Sequence, residues 1–378
     1  MRDHPAATSI LLLYVSIGDG HRQAALAIEE AVRKHHPSLR PISFDAFDLF
    51  NPFLVALLSR AYKRLSRSFP RFWNRLYDND RVRGRVSGPL FRLYRRAIPR
   101  IGELIREFSP AAVVCTQAIP CGLVAAWKRD TGRKLPLVAV PTDYAVHAYW
   151  LFDEVDLYLV PAAENREMLL QRGVAPEKVR VAGIPIHPAF AGSVSPRDLK
   201  IKYGLTGVSP AVLLMGGGEG VATLEGLIRE IDGRREKFQI AAVSGRNRLL
   251  HVRLQNLRAA LDHPLRVFSF LDSMDELMGA ADVIVTKPGG LTTAEALAKR
   301  VPMILVDPLP GQEELNAEFL ERRGVALRAG SGREAAELVG MILNGSGAKE
   351  RMRTAMDGVR QPESARVSAD CVAGLTHA

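Results

Sequence analysis

Two glycine-marked loops carry the residues most suited to chemistry. One is TKPGGLTTAEAL (286–297) and the other is PLPGQEELNA (308–317); each joins an apolar run to a helical stretch. In the first, Gly289 and Gly290 keep the turn free of side chains, and Thr292 or Thr293 is placed to cap the helix that follows. Bare N–H groups and the helix dipole make such a turn an anion site. Glu295 sits one turn further on. A carboxylate there opposes phosphate and suits a pair of hydroxyls such as a ribose diol, or else it folds back as a capping box. In the second loop, Gln312 and Glu313 offer an amide and a carboxylate to sugar hydroxyls, or simply begin a polar helix. Held together, the two loops suit a nucleoside diphosphate carrying a sugar.

Three further loops have the same look. MGGGEG (215–220) leaves a strand in three glycines but lacks the Gly-Lys-Ser/Thr of a P-loop, so it reads as a phosphate loop or a plain tight turn. SGRNRLL (244–250) puts Arg246 and Arg248 where either can neutralise phosphate. VSIGDGHRQAA (15–25) follows the first strand with Gly18, Asp19 and Gly20, and His21 opens a helix. A helix N-terminus disfavours imidazolium, so His21 is expected to be neutral near pH 7 and able to take a proton from an alcohol; a solvent-facing histidine is the plainer reading. The loop is also a partial dinucleotide fingerprint, with Gln23 in the third glycine position and Asp45 ending the next strand, which keeps hydride chemistry as a runner-up. PTDYAVHAYW (141–150) adds Asp143 and His147, which would orient His21, bind an acceptor or cap a helix.

The elements that must position these loops alternate. Strand-like runs at 9–16, 40–47, 111–117, 136–143, 155–161 and 178–185 interleave with helical stretches, the first spanning about 20–35. After a linker near 187–200 the rhythm restarts at 211–218, 238–245, 265–271, 281–290 and 301–311. This β-α-β order predicts an α/β chain of two Rossmann-like doubly wound domains facing across a cleft, with ligands beyond the carboxyl ends of the strands. The expected domains are 1–190, 191–348 and a helix over 349–378 that packs back on the first.

Composition excludes several classes. No apolar run approaches the ~18 residues of a membrane span, and with a strand-like run beginning at Ser9 no signal peptide is expected. Three cysteines, Cys115, Cys121 and Cys371, form no zinc or disulfide framework. Residues 51–100 hold 13 Lys+Arg against 2 Asp+Glu, while the rest of the chain holds 38 against 39. The whole +10 excess therefore comes from one segment. That segment includes Phe69, Phe72, Trp73 and Tyr77, and Leu54, Leu57, Leu58, Ala61, Tyr62 and Leu65 recur at helical spacing. It reads as an amphipathic membrane-surface element; a solvated Arg-rich face and single-stranded nucleic acid are the competing readings.

The motifs SIGDGHRQAALAI, PTDYAVHAYW, GIPIHPAF, MGGGEG, SGRNRLL, FSFLDSMDELMGAADVIVTKPGGLTTAEAL and PGQEELNA, in that order over about 9–325, resemble the diacylglycerol glycosyltransferases of glycosyltransferase family 28. The resemblance implies a GT-B fold and an inverting, metal-independent hexose transfer from a UDP-sugar to a lipid hydroxyl, with UDP-glucose preferred to UDP-galactose. It implies that His21 and Asp143 are catalytic, with Gly18, Gly20 and His147 on the acceptor side. Gly217, Gly218, Glu219, Arg246, Phe270, Leu271, Gly289, Gly290, Thr292 and Glu295 would surround UDP, and Gln312 and Glu313 would meet the sugar. Ala148 stands where relatives often have proline. The implied partners are diacylglycerol and an anionic membrane surface, without nucleic acid. The implied place is the inner face of the cell membrane, held peripherally. A UDP-sugar 2-epimerase, a transferase with another lipid acceptor, and a non-catalytic lipid-surface or RNA-binding protein are the rivals.

Overall fold

The computed structural model describes residues 8–16, 18–50, 96–216, 224–345 and 347–376 of the chain. The basic segment expected at the membrane surface falls mostly in 51–95, outside the described residues, as do Gly217, Gly218 and Glu219. The chain divides into two units: 1–188 with 309–312 and 363–378, and 189–308 with 313–362.

In the first unit β1 (Thr8–Tyr14), α1 (Gly20–His35) and β2 (Leu39–Asp45) open the alternation. Then come α2 (Ile98–Phe108), β3 (Ala112–Cys115), α3 (Ala118–Thr131), β4 (Leu137–Ala139), β5 (Leu157–Val160), α4 (Ala163–Gln171) and β6 (Val179–Val181). The strands make one parallel sheet in the order β2-β1-β3-β4-β5-β6. Such a sheet is covered on both faces, so its strands are apolar without alternation; Ile10 to Leu13 are all fully buried. The order reverses between β1 and β3, and that switch point opens beyond their carboxyl ends.

The second unit runs α5 (Pro196–Lys202), β7 (Ala211–Met215), α6 (Leu224–Asp232), β8 (Gln239–Val243), α7 (Arg248–Leu257), β9 (Leu265–Phe268), α8 (Met274–Gly279), β10 (Val283–Thr286), α9 (Gly290–Ala298), β11 (Met303–Leu305), α10 (Gln312–Arg322), β12 (Ala326–Arg328), α11 (Gly332–Leu343) and α12 (Ala348–Asp357). Its parallel sheet is ordered β12-β11-β10-β7-β8-β9, the Rossmann order, and its switch point lies between β7 and β10. The loops that leave those two strands are the Gly-Gly-Gly and Pro-Gly-Gly segments.

Three expectations change. The sixth strand of the second sheet, β12, was not foreseen. The tail is two helices, not one: α12 belongs to the second unit, and α13 (Ser364–Thr376) returns to the first. Gly358 and Pro362 separate them, one permissive and one unable to continue a helix. There Ala365, Ala369, Val372 and Ala373 pack in one cluster with Ala27, Ile28, Ala31 and Val32 of α1, small residues that allow close approach. Finally, α9 begins at Gly290 with Gly289 as its N-cap and no side-chain cap bond. Thr292 and Thr293 are therefore inside the helix, and the Thr293 hydroxyl donates back to the carbonyls of Gly289 (2.9 Å) and Gly290 (3.0 Å).

Candidate active site

At the first switch point the chain leaves β1, and Gly18 takes a φ of +77°, the left-handed region where a side chain is strained. That turn starts α1 at Gly20 and sets His21 in its first turn. Across the switch point stands Thr116, directly after β3. Nδ1 of His21 lies 2.9 Å from the carbonyl oxygen of Thr116 and 2.9 Å from Oγ1 of Thr142. In return the Thr116 hydroxyl donates to the His21 carbonyl at 2.8 Å.

This geometry fixes the tautomer. A carbonyl oxygen only accepts, so Nδ1 must carry the proton, and the neutral ring keeps its lone pair on Nε2. Burial lowers the His21 pKa from its ordinary value; the charge of Asp143 and the Thr116 carbonyl act in the opposite direction. The ring is thus neutral at pH 7 with a base nitrogen of known identity, and Asp143 favours the imidazolium that proton uptake would create. Asp143 follows Thr142 in the same loop, so β4 delivers both.

His147 lies four residues further on, edge-on to Tyr149 (5.7 Å between ring centres). Burial first, then electrostatic interaction with His21 and Arg172, lower its pKa to about 3. It is uncharged at physiological pH. Ala148 begins a single turn of 3-10 helix and is buried.

In the second unit the first-turn N–H groups of α9 are aimed out of the helix end, as at any N-terminus. A Cβ added at Gly289 would meet nothing within 4 Å, and its φ of −68° is open to any residue. The chain itself does not require glycine there; the bare position leaves room for something else. Glu295, one turn in, has its pKa raised to about 8 by burial and by the nearby Asp275 carboxylate, so it is mostly protonated at neutral pH. Asn316 of α10 is fully buried and donates to the Pro288 carbonyl at 3.0 Å, which ties the two opening loops together. Gln312 is the first residue of α10 and Glu313 the second.

The ends of β8 and β9 meet through Ser244, whose amide and hydroxyl both donate to the Phe268 carbonyl (2.9 and 3.0 Å). Just beyond, Arg246 covers the Phe270 ring at 4.4 Å. Phe270 is 44% exposed, so a guanidinium and an aromatic edge are presented together, with Leu271 half-buried beside them. Asp45, the acid that a dinucleotide reading would place on a ribose, instead accepts from the Phe47 amide at 2.9 Å as the cap of a short turn. Among the described residues, no group of three His, Cys, Asp or Glu side chains converges as metal ligands, and no helix is long and apolar enough to cross a membrane.

Sequence reasoning missed Thr116, Thr142 and Asn316. The first two had a signal: each is a hydroxyl residue at or just beyond the carboxyl end of a buried parallel strand, which is where such sheets hold ligands.

Residues 21–186 match the Monogalactosyldiacylglycerol (MGDG) synthase family, and residues 211–361 match the Glycosyltransferase family 28 C-terminal domain. A processive diacylglycerol beta-glucosyltransferase of Bacillus subtilis (strain 168) is 30% identical over 361 residues, covering 95% of this chain and 93% of the relative. Its namesake in Bacillus cereus (strain B4264) is 30% identical over 379 residues, covering 98% and 94%. Among solved structures, Acinetobacter baumannii MurG superposes with a TM-score of 0.67 at 16% identity, covering 97% of this chain and 99% of its own. The UDP-GlcNAc 2-epimerase of Neisseria meningitidis gives 0.62 at 12%, covering 97% and 100%. These structural neighbours share the GT-B fold of paired Rossmann-like units.

Proposed function

The chain belongs to the diacylglycerol glycosyltransferases of glycosyltransferase family 28, and on that premise we propose that it moves a hexose from a UDP-sugar to the hydroxyl of diacylglycerol with inversion, giving a β-glycosyl lipid. UDP-glucose is the proposed donor, in keeping with the names of the relatives, and the proposed place of action is the membrane surface. The observation that carries the reading is the locked ring of His21. Nε2 removes the acceptor proton, the freed oxygen forms its bond to the anomeric carbon, and the bond from that carbon to the UDP oxygen breaks with its electrons leaving on the diphosphate. Asp143 stabilises the imidazolium. The free N–H groups at the start of α9 receive the charge that grows on the leaving group, an oxyanion-hole role. Arg246 and Phe270 suit the nucleotide, Glu295 its ribose, and Gln312 and Glu313 the hexose.

The test is UDP release on diacylglycerol liposomes with UDP-glucose and UDP-galactose in parallel, the lipids being resolved by mass spectrometry and sugar analysis. A glucosyl lipid is expected. UDP release without a glycolipid would move the acceptor elsewhere, and interconversion of UDP-sugars without release would favour the epimerase. In the same assay His21→Ala is expected to lower turnover by about 10²–10⁴-fold with UDP affinity unchanged. Equal loss of both would remove His21 as the base.

A further inference from the structure

Helix α7 of the second unit has a face that its own core does not use. Leu250, Leu254 and Leu257 are buried and hold the helix to the sheet. On the opposite side Leu249 is 63% exposed and Val252 is 55% exposed. They stand three residues apart and so lie together. Arg253 and Asn256 continue the same exposed stripe, and Arg246, Arg248 and Arg258 are exposed around it. From 246 to 261 the chain carries four arginines and no aspartate or glutamate. Glu225 of α6 pairs with Arg253 at 3.8 Å, and the exposed Asp262 follows directly after the stretch. Exposed Phe270 lies against Arg246 at the same end.

We propose that this face of α7 is a membrane contact, seating on an anionic bilayer with Leu249 and Val252 entering the interface and Arg248, Arg253 and Arg258 meeting lipid phosphates. Charge selects the occupant. Two adjacent exposed aliphatics within a set of arginines that outnumbers its neighbouring acids, Glu225 and Asp262, match a negatively charged, laterally apolar surface. The contact is separate from the basic segment within 51–100, and it does not depend on which sugar or acceptor the enzyme takes.

A local probe separates this contact from any other on the chain. The full-length protein carrying Val252→Cys is labelled there with an environment-sensitive NBD group, and mixed with phosphatidylglycerol-containing or pure phosphatidylcholine vesicles. A blue shift with the anionic vesicles alone, lost in high salt, is expected. In unlabelled protein, Leu249→Ser with Val252→Ser and, separately, Arg253→Gln with Arg258→Gln are each expected to weaken co-sedimentation with anionic vesicles about tenfold, with the thermal midpoint unchanged. An NBD emission that ignores anionic vesicles, or a shift of equal size on neutral ones, would overturn the proposal. So would a label that responds equally to a soluble partner protein. None of these readouts requires turnover, so failure here is distinct from failure of the transferase reading.

Discussion

The base nitrogen of His21 is chosen by a backbone oxygen, and Thr142 supplies the second acceptor on the same N–H. Removing that hydroxyl takes away a bond that grows stronger when the ring is charged. Thr142→Val is therefore expected to lower kcat about five- to tenfold, the worth of roughly 1 kcal/mol, with KM for the donor unchanged. The acidic limb of the kcat/KM profile should shift to lower pH, because the imidazolium has lost a partner. An unchanged limb would make Thr142 a packing residue only. Glu295 behaves in the opposite sense. Its raised pKa of about 8 means that ribose hydroxyls, which donate, meet the acceptor they need only once the proton has left. UDP affinity is expected to rise between pH 7 and 9, and Glu295→Gln should abolish that rise while weakening UDP about tenfold, as measured by calorimetry. A slope that survives in Glu295→Gln would place the titration elsewhere.

At the scale of elements, the loop after β10 works through what it lacks. Neither its backbone angle nor its neighbours require glycine at 289. Gly289→Ala is accordingly expected to leave the melting temperature unchanged and to weaken UDP binding by at least tenfold. A fall in melting temperature with intact affinity would make the glycine structural. Much of this was legible beforehand. The apolar runs gave eleven of the twelve strands, because strands buried on both faces announce themselves by composition. The twelfth, β12, is three residues long with only Ala326 fully buried, too short for a periodic signal. The start of α9 was misjudged because threonine is a good cap in general, whereas the Thr293 hydroxyl here satisfies carbonyls one turn back. Thr116, Thr142 and Asn316 escaped because their partners lie 95, 121 and 28 residues away, and only the strand order brings them together.

For the molecule as a whole, the two units carry buried groups with opposite pH linkage. In the first, His147 has a folded pKa of about 3 against 6.5 for the free side chain. Below pH 6.5 the unfolded chain binds the extra proton, so stability falls as pH falls from 6.5 toward 3. In the second, Glu295 has a folded pKa of about 8 against 4.5. The unfolded chain releases its proton first, so stability falls as pH rises from 4.5 toward 8. Each slope is at most ~1.4 kcal/mol per pH unit, the linkage of a single proton. Calorimetric unfolding between pH 5 and 6.5 should resolve two transitions, one rising and one falling with pH. Two transitions that move in parallel would show that other groups dominate the linkage.

The return of α13 also governs the order in which the protein can be made. The first sheet leaves the ribosome first, yet the helix that covers Ile28, Ala31 and Val32 on α1 is Ser364–Thr376, encoded after the whole of the second unit. All of the second unit is translated between them. During synthesis the second unit can close as soon as residue 362 has emerged, whereas the first must wait with an alanine-lined groove uncovered until residue 376 has followed. The earlier-born half is the later-finished one, so a nascent chain stalled between residues 362 and 376 would present that groove to chaperones.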